Sequence, residues 1–330
     1  YMPTRETKRG IQRQRAIGIG VQGLDDVYAM FRYPFESPAA ASLNKLIFET
    51  LYYAALTAST QLSREFYLNA VKQCKEQPIT IEEHYQNSYE TGQKTYTDPS
   101  LIPKTIGSYP AMLFNEGAPI YHGKFHWELA GKTTGDLSGM YDWETLRSHI
   151  MQYGVRNSMC VALMPTASTS QLMGNNECFE PCTFNIYRRN TSAGEFVVFK
   201  KYLIHDLYRL GLWNEDLRKK ILVAEGGIQH IKEIPANLRA LYKTAYEIDQ
   251  AAIIKQAIDR QPFVDQAQSM NLYIANFTSE VFLDLHMLGW SEGLKTLRYY
   301  VHSKPGKAAL KFAIDPEAQK AIQEELQTQG

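Results

Sequence analysis

The chain has 330 residues, 44% of them hydrophobic and 21% charged, an ordinary globular composition long enough to bury a sizeable core. Its 35 basic side chains balance 35 acidic ones, which argues against bulk electrostatic attachment to nucleic acid or to a membrane surface. No run is apolar over a membrane-spanning length, and the basic N-terminus lacks the apolar stretch of a secretory signal, so a cytoplasmic protein with reduced thiols is expected.

Residues 1–15 carry five cations (Arg5, Lys8, Arg9, Arg13 and Arg15) without clean periodicity and read as a solvated tail. Residues 16–24 (AIGIGVQGL) predict a short buried strand that ends in a close backbone approach at Gly18, Gly20 and Gly23. Those glycines fit G-x-G-x-x-G, but RYPFES at 32–37 leads into a long helix over 39–62, not into a βαβ unit, which argues against a dinucleotide fold. Leu43, Leu46, Ile47, Leu51 and Ala54 give that helix one apolar face. Residues 72–136, rich in Tyr, Pro, Gly, Thr and His, predict surface loops and short pieces. A helix over 142–153 follows, with Trp143, Leu146 and Ile150 on one side, then a buried strand over 158–164 that Pro165 ends. Helices are expected over 202–210, 215–223, 234–258 and 279–296, strands over 269–275 and 297–301, and a polar tail from Lys304. Strands separated by helices indicate an α/β class.

Residues 164–174 (MPTASTSQLMG) carry the sharpest chemical signal. A strand runs into a proline, and four hydroxyl side chains then crowd five positions: Thr166, Ser168, Thr169 and Ser170. A helix start offers free N–H groups and partial positive charge, so small hydroxyl residues there either cap the helix or bind phosphate oxygens. Both readings stay open on the residues alone. Tyr299 and Tyr300 adjoin in the last expected strand, where packing is the plain reading and electron transfer through phenols the functional one. His122 and His126 are spaced H-x3-H in a loop without a carboxylate set, so no metal site is expected. Cys178 and Cys182 are spaced C-x3-C with no second pair at zinc-finger spacing and read as structural thiols.

Several of these stretches, in order from about residue 15 to 305, resemble the large subunit of class I ribonucleotide reductase in its eukaryotic and viral forms. IGIGVQGL with RYPFES is similar to a strand-helix segment of that family. Trp143, Leu146, Gly154, Val155, Arg156, Asn157 and Pro165 fall at the spacing of its signature motif, and residues 164–181 resemble its phosphate loop. DQAQSMNLYIA at 265–275 and GWSEGLKTLRYY at 289–300 resemble two later blocks. The resemblance implies an α/β fold, the second half of a ten-stranded α/β barrel, as a fragment spanning 1–305 with a surface insertion near 75–109 and a polar tail over 306–330.

It also implies roles. Thr166, Ala167, Ser168, Thr169 and Ser170 match the loop that binds the substrate diphosphate. Tyr299 and Tyr300 match the stacked pair of the radical pathway, Tyr299 nearer the active-site cysteine and Tyr300 nearer the small subunit. The helix before them would help to form the small-subunit docking surface. The implied reaction reduces ribonucleoside diphosphates to deoxyribonucleoside diphosphates for DNA synthesis. No cofactor is implied for this chain; the whole enzyme would take its radical from a di-iron-type small subunit, a thioredoxin- or glutaredoxin-type reductant, and ATP or dNTP effectors.

The departures bear on activity. No Asn-x-Cys-x-Glu pattern for the radical cysteine occurs, no reducing cysteine pair is recognisable, and the last residues (EELQTQG) lack the family's terminal cysteine pair. An isolated chain is therefore expected to be inactive and to associate with a complementary N-terminal part of the large subunit, because half a barrel leaves strand edges open. A split chain and a piece of a longer one are both open. The alternative is a non-catalytic remnant or binding protein that docks the small subunit. Neither membrane attachment nor direct nucleic-acid binding is expected.

Overall fold

A computed structural model of the chain describes residues 2–191, 194–303, 322 and 324. Two compact units divide it: Tyr1–Gly20, Lys45–Leu163 and Asp259–Ala267 form the first, and Val21–Asn44, Met164–Ile258 and Gln268–Gly330 the second. The elements are mixed α/β and mostly helical. In chain order they are α1 (Arg5–Gln14), α2 (Leu24–Phe31), α3 (Pro38–Glu76), β1 (Ile79–His84), β2 (Thr91–Tyr96), α4 (His126–Leu129), α5 (Trp143–Tyr153), α6 (Thr169–Met173), β3 (Ile186–Thr191), β4 (Gly194–Phe199), α7 (Lys201–Arg209), α8 (Glu215–Val223), α9 (Ala236–Leu241), α10 (Gln250–Arg260), β5 (Leu272–Tyr273), α11 (Ser279–Ser291) and β6 (Val301–His302).

The first unit is organised on α3 from Lys45 onward. The start of that helix lies in residues of the second unit, where Ser37 caps it by accepting the Ala40 N–H and Pro38 supplies a pre-set φ. Phe48, Tyr52, Ala55, Ser59 and Ser63 are buried at three- and four-residue spacing, one continuous face of the helix. Tyr52 and Phe125 pack on Trp143 with ring centres 6.0 and 4.9 Å away. Extended backbone at 17–19 runs parallel to 159–162: Ile19 N–H donates to Cys160 O at 2.7 Å, and Ala162 N–H to Ile19 O at 3.0 Å. The Asp265 carboxylate accepts the N–H groups of both Cys160 and Val161 at 2.8 Å and so holds this crossing. The antiparallel β1–β2 hairpin packs against the end of α3 through Ala70, Cys74 and Tyr96.

The second unit buries Ile186, Leu203, Leu207, Leu217, Ile221 and Ile234 in one cluster, drawn from the β3–β4 hairpin, α7, α8 and the segment before α9. An ion pair lies at the edge of that cluster. Arg32 closes α2 in the left-handed region (φ 62°), and its guanidinium grips Asp206 on α7, which also accepts the Tyr242 hydroxyl at 2.6 Å. The parallel β5–β6 pair sets Tyr273 opposite His302.

Several expectations are corrected. The helix predicted over 39–62 continues to Glu76, because the buried face persists through Ala70 and Cys74. The expected strand over 16–24 gives way at Gly23, whose left-handed φ of 80° opens α2. The expected strand over 158–164 is reduced to isolated bridging, as between Val161 and Ile19, and those over 269–275 and 297–301 shrink to β5 and β6. The single helix expected over 234–258 is two, because Glu247 folds back to accept the N–H and hydroxyl of Thr244 and turns the chain between them. The α11 helix stops at Ser291, where Gly293 turns left-handed. Neither hairpin was predicted, nor were α1 and α2. Among the described residues the named strands pair as three two-stranded sheets. The tail expected over 306–330 lies outside the described residues apart from 322 and 324. No described helix is long and apolar enough to cross a membrane.

Hydrogen bonding from Arg32 holds Asp206 below the ordinary carboxylate range. A carboxylate depressed on folding contributes stability that is complete above its unfolded pKa of about 3.9 and is lost as pH falls through the lower folded value. Asp206→Asn is therefore expected to destabilise the protein at pH 7 and to cost less below about pH 4; urea midpoints of both proteins at the two pH values measure the difference.

Candidate functional site

The hydroxyl-rich loop lies in the second unit and is a braced turn. Thr166 adopts φ 54°, a left-handed conformation that costs energy for a β-branched residue and persists only where neighbours enforce it. They do so here. Its hydroxyl accepts the Cys178 N–H at 2.8 Å, and its carbonyl accepts the Ser170 N–H at 2.9 Å. Ala167 and Ser168 are exposed ahead of the short α6 and Thr169 at its first position, Thr166 is half-buried, and Ser170 is fully buried. The Ser170 hydroxyl has no hydrogen-bond partner among the described residues. Ser168 precedes α6 without a side-chain cap bond, so its hydroxyl is not spent on capping.

The far side of the loop is pinned to the start of α2. Gly23 N–H donates to Asn176 O at 2.9 Å, Leu24 N–H to Cys178 O at 3.3 Å, and Asn176 N–H to the Asp26 carboxylate at 2.6 Å. A Cβ at Gly23 would press on Asn175 at 3.3 Å in a backbone conformation that already disfavours one. Lys201 donates to Gly174 O at 3.0 Å.

Beside the loop a cavity of about 1030 Å³ opens, walled in part by Ser168, Gln171, Asn176, Glu180, Lys200 and Tyr273. Its charges are fixed by burial. Lys200 is ion-paired with Asp25. Burial works against the ammonium, but the Asp25 charge and hydrogen bond outweigh it, so Lys200 stays charged. Glu180, 4% exposed, accepts the Asn271 N–H at 2.8 Å on one oxygen and the Tyr273 hydroxyl at 3.0 Å on the other. Its carbonyl accepts the Asn176 side-chain amide at 2.5 Å. All four cysteines are buried and outside any disulfide; burial pushes Cys182 up to about 11 and Cys160 up to about 12, which keeps both as thiols. No group of three or more His, Cys, Asp and Glu among the described residues gathers as a metal site.

Tyr299 and Tyr300 stand just before β6, exposed, and not inside a buried strand as the sequence suggested. Their ring centres are 4.2 Å apart with planes tilted by 60°. The hydrogen bond to Tyr300 raises the Tyr299 phenol above its ordinary range. The backbone links the pair to the cavity wall: Tyr300 N–H donates to the Asn271 side chain at 3.2 Å, and Asn271 N–H donates to Glu180.

Residues 1–300 match the family described as ribonucleotide reductase, barrel domain. The chain belongs to that family. It is 44% identical over 323 residues to the ribonucleoside-diphosphate reductase large subunit of Acanthamoeba polyphaga mimivirus, a match covering 98% of this chain and 32% of that protein. It is 43% identical over 315 residues to the large chain of Encephalitozoon cuniculi, covering 96% and 35%. Against the class Id ribonucleotide reductase alpha subunit of Actinobacillus ureae the TM-score is 0.58 at 23% identity, with 90% of this chain and 40% of that one covered, which supports the fold. The chain spans about a third of the length of these curated relatives.

Within this ribonucleotide reductase barrel domain, the loop residues do not present alike: Ala167, Ser168 and Thr169 face outward, whereas the Thr166 hydroxyl is used inside the loop and Ser170 is covered. Asp26, Glu180, Lys200, Asn271 and Tyr273 were missed as site residues, since each finds its partner far along the chain and leaves no local pattern. Asp26→Ala removes the acceptor for the Asn176 N–H, and that amide is expected to exchange with solvent about tenfold faster, as hydrogen exchange read by NMR will show.

Proposed function

We propose that the chain is the part of a ribonucleoside-diphosphate reductase large subunit that holds the substrate diphosphate and carries the tyrosine relay. The observation that carries this reading is the braced loop at the cavity: Ala167, Ser168 and Thr169 are exposed at a helix start beside a pocket that also presents the charged Lys200. The first N–H groups of a helix lack intrahelical acceptors and suit phosphate oxygens. Thr166 and Ser170 serve from below, Thr166 by fixing the turn and Ser170 with a hydroxyl that is unspent among the described residues. The exposed, hydrogen-bonded Tyr299–Tyr300 pair passes the oxidising equivalent, with Tyr300 on the small-subunit side. Residues 1–305 contribute the second half of a ten-stranded barrel, and the β1–β2 hairpin within 75–109 is an insertion on it. The remaining parts of the reaction come from outside this chain: the thiyl cysteine and its reductant pair from an N-terminal part of the large subunit, the radical from a di-iron-type small subunit, electrons from a thioredoxin- or glutaredoxin-type protein, and regulation from ATP and dNTPs.

The test mixes the chain with a complementary N-terminal part and a small subunit and follows reduction of CDP or GDP. Product that requires all three is expected; clean binding of the small subunit without product would point to a docking protein instead. In the active mixture Tyr299→Phe or Tyr300→Phe is expected to abolish turnover while the fold, read by circular dichroism, is kept. Ser168→Ala is expected to raise KM for the diphosphate roughly tenfold with a smaller change in kcat, the signature of lost ground-state contacts.

A further inference from the structure

Tyr273 is the one phenol in the cavity wall that is both buried and hydrogen-bonded to a buried carboxylate. It is 6% exposed, and its hydroxyl donates to Glu180 Oε2 at 3.0 Å. Glu180 accepts on both oxygens, from Tyr273 and from the Asn271 N–H, the pattern of an ionised carboxylate held in place. The parallel β5–β6 pairing sets Tyr273 directly opposite His302, and the two rings stack with centres 5.2 Å apart and planes 20° from parallel. His302 lies 6.1 Å from Tyr300, which in turn contacts Tyr299 at 4.2 Å. A continuous file of rings thus leads from the exposed tyrosine pair to the wall of the cavity. Backbone hydrogen bonds fix it, from Leu272 N–H to Tyr300 O and from Ile274 N–H to His302 O.

A phenol that loses an electron becomes strongly acidic, so its oxidation inside a protein needs a base already at the oxygen. Exposed Tyr299 and Tyr300 can use water; buried Tyr273 has Glu180. We propose that Tyr273 is a redox-active residue, a side station of the tyrosine relay whose proton is held by Glu180. In the step, a Tyr300 phenoxyl radical takes one electron from Tyr273 through the His302 ring and one proton from solvent, and becomes a phenol. The Tyr273 O–H bond breaks, its proton goes to Glu180 Oε2, and a Tyr273 phenoxyl radical and a neutral Glu180 carboxyl remain. One electron moves from Tyr273 to Tyr300, and no new charge is created in the low-dielectric interior, where an unpaired charge would be costly. The file of rings gives the oxidising equivalent a resting place beside the pocket, separate from the exposed pair. For its natural oxidant the proposal rests on the relay reading of Tyr299 and Tyr300; the Tyr273–Glu180 chemistry can be tested without it.

The test uses the full chain alone with a ruthenium tris-bipyridine photo-oxidant and a sacrificial electron acceptor, and follows tyrosyl radicals by time-resolved absorption and electron paramagnetic resonance. A long-lived tyrosyl signal is expected in the unmodified protein, over short-lived signals from exposed tyrosines. Tyr273→Phe is expected to remove it. Glu180→Gln keeps the shape and leaves the phenol in place but takes away the base, and is also expected to remove it; Glu180→Asp restores part of it. Circular dichroism checks that each variant is folded, and if Tyr273→Phe fails to fold the Glu180 pair decides. No long-lived radical in the unmodified protein, or one that survives in folded Tyr273→Phe or Glu180→Gln, overturns the proposal. Because no substrate, small subunit or deoxynucleotide product enters the measurement, its failure is distinct from failure of the reductase reading.

Discussion

A carboxylate taken out of water must find donors for its oxygens or be neutralised, and the second unit is arranged around meeting that demand at Glu180. One oxygen takes the backbone of Asn271, the other the phenol of Tyr273, and the carbonyl of the same residue takes the side chain of Asn176. Those partners belong to the segment leading into β5, to β5 itself and to the end of the hydroxyl-rich loop. A single residue thereby ties the end of the loop to the segment around β5, some ninety residues on, and through Asn271 it reaches the backbone of Tyr300. Removing the carboxylate would loosen the floor of the cavity, the loop and the tyrosine pair together.

The loop illustrates how constraint is divided in such a site. The start of α2 supplies three contacts to residues 176–178 through Gly23, Leu24 and Asp26, and Thr166 closes the loop on itself in a strained conformation. The strain is tolerable because the hydroxyl and the carbonyl of Thr166 are both engaged and hold the turn. What is left outward is Ala167 to Thr169, of which only Ser168 and Thr169 carry polar side chains.

Local signals in the sequence were read well where the chemistry is local. The crowding of hydroxyls after Pro165, the face of Trp143, Leu146 and Ile150, and the adjacent tyrosines each fall within one or two turns of chain, and periodicity or composition exposes them. Long-range partnerships were not legible. Nothing near Asp26 points to Asn176, and nothing near Lys200 points to Asp25, because each bond is made only after the chain has returned over 150 or more residues. The strands were over-read for a related reason. Apolar runs such as 158–164 have a buried centre, but a strand is defined by its neighbour, and the pairing there is confined to isolated bridges such as that of Val161 with Ile19. The long helix was under-read because its exposed stretches beyond Leu62 hide a buried face that continues at four-residue spacing through Ala70 and Cys74.

The burial of all four thiols has a practical side. Cys74, Cys160, Cys178 and Cys182 are covered and outside any disulfide, and burial holds Cys160 and Cys182 as neutral thiols far above neutral pH. A cysteine introduced at an exposed position would therefore be the fastest-reacting sulfur in the native chain. Spin labels, fluorophores or a tethered photosensitiser could be attached at a chosen place without first stripping the natural cysteines from the core.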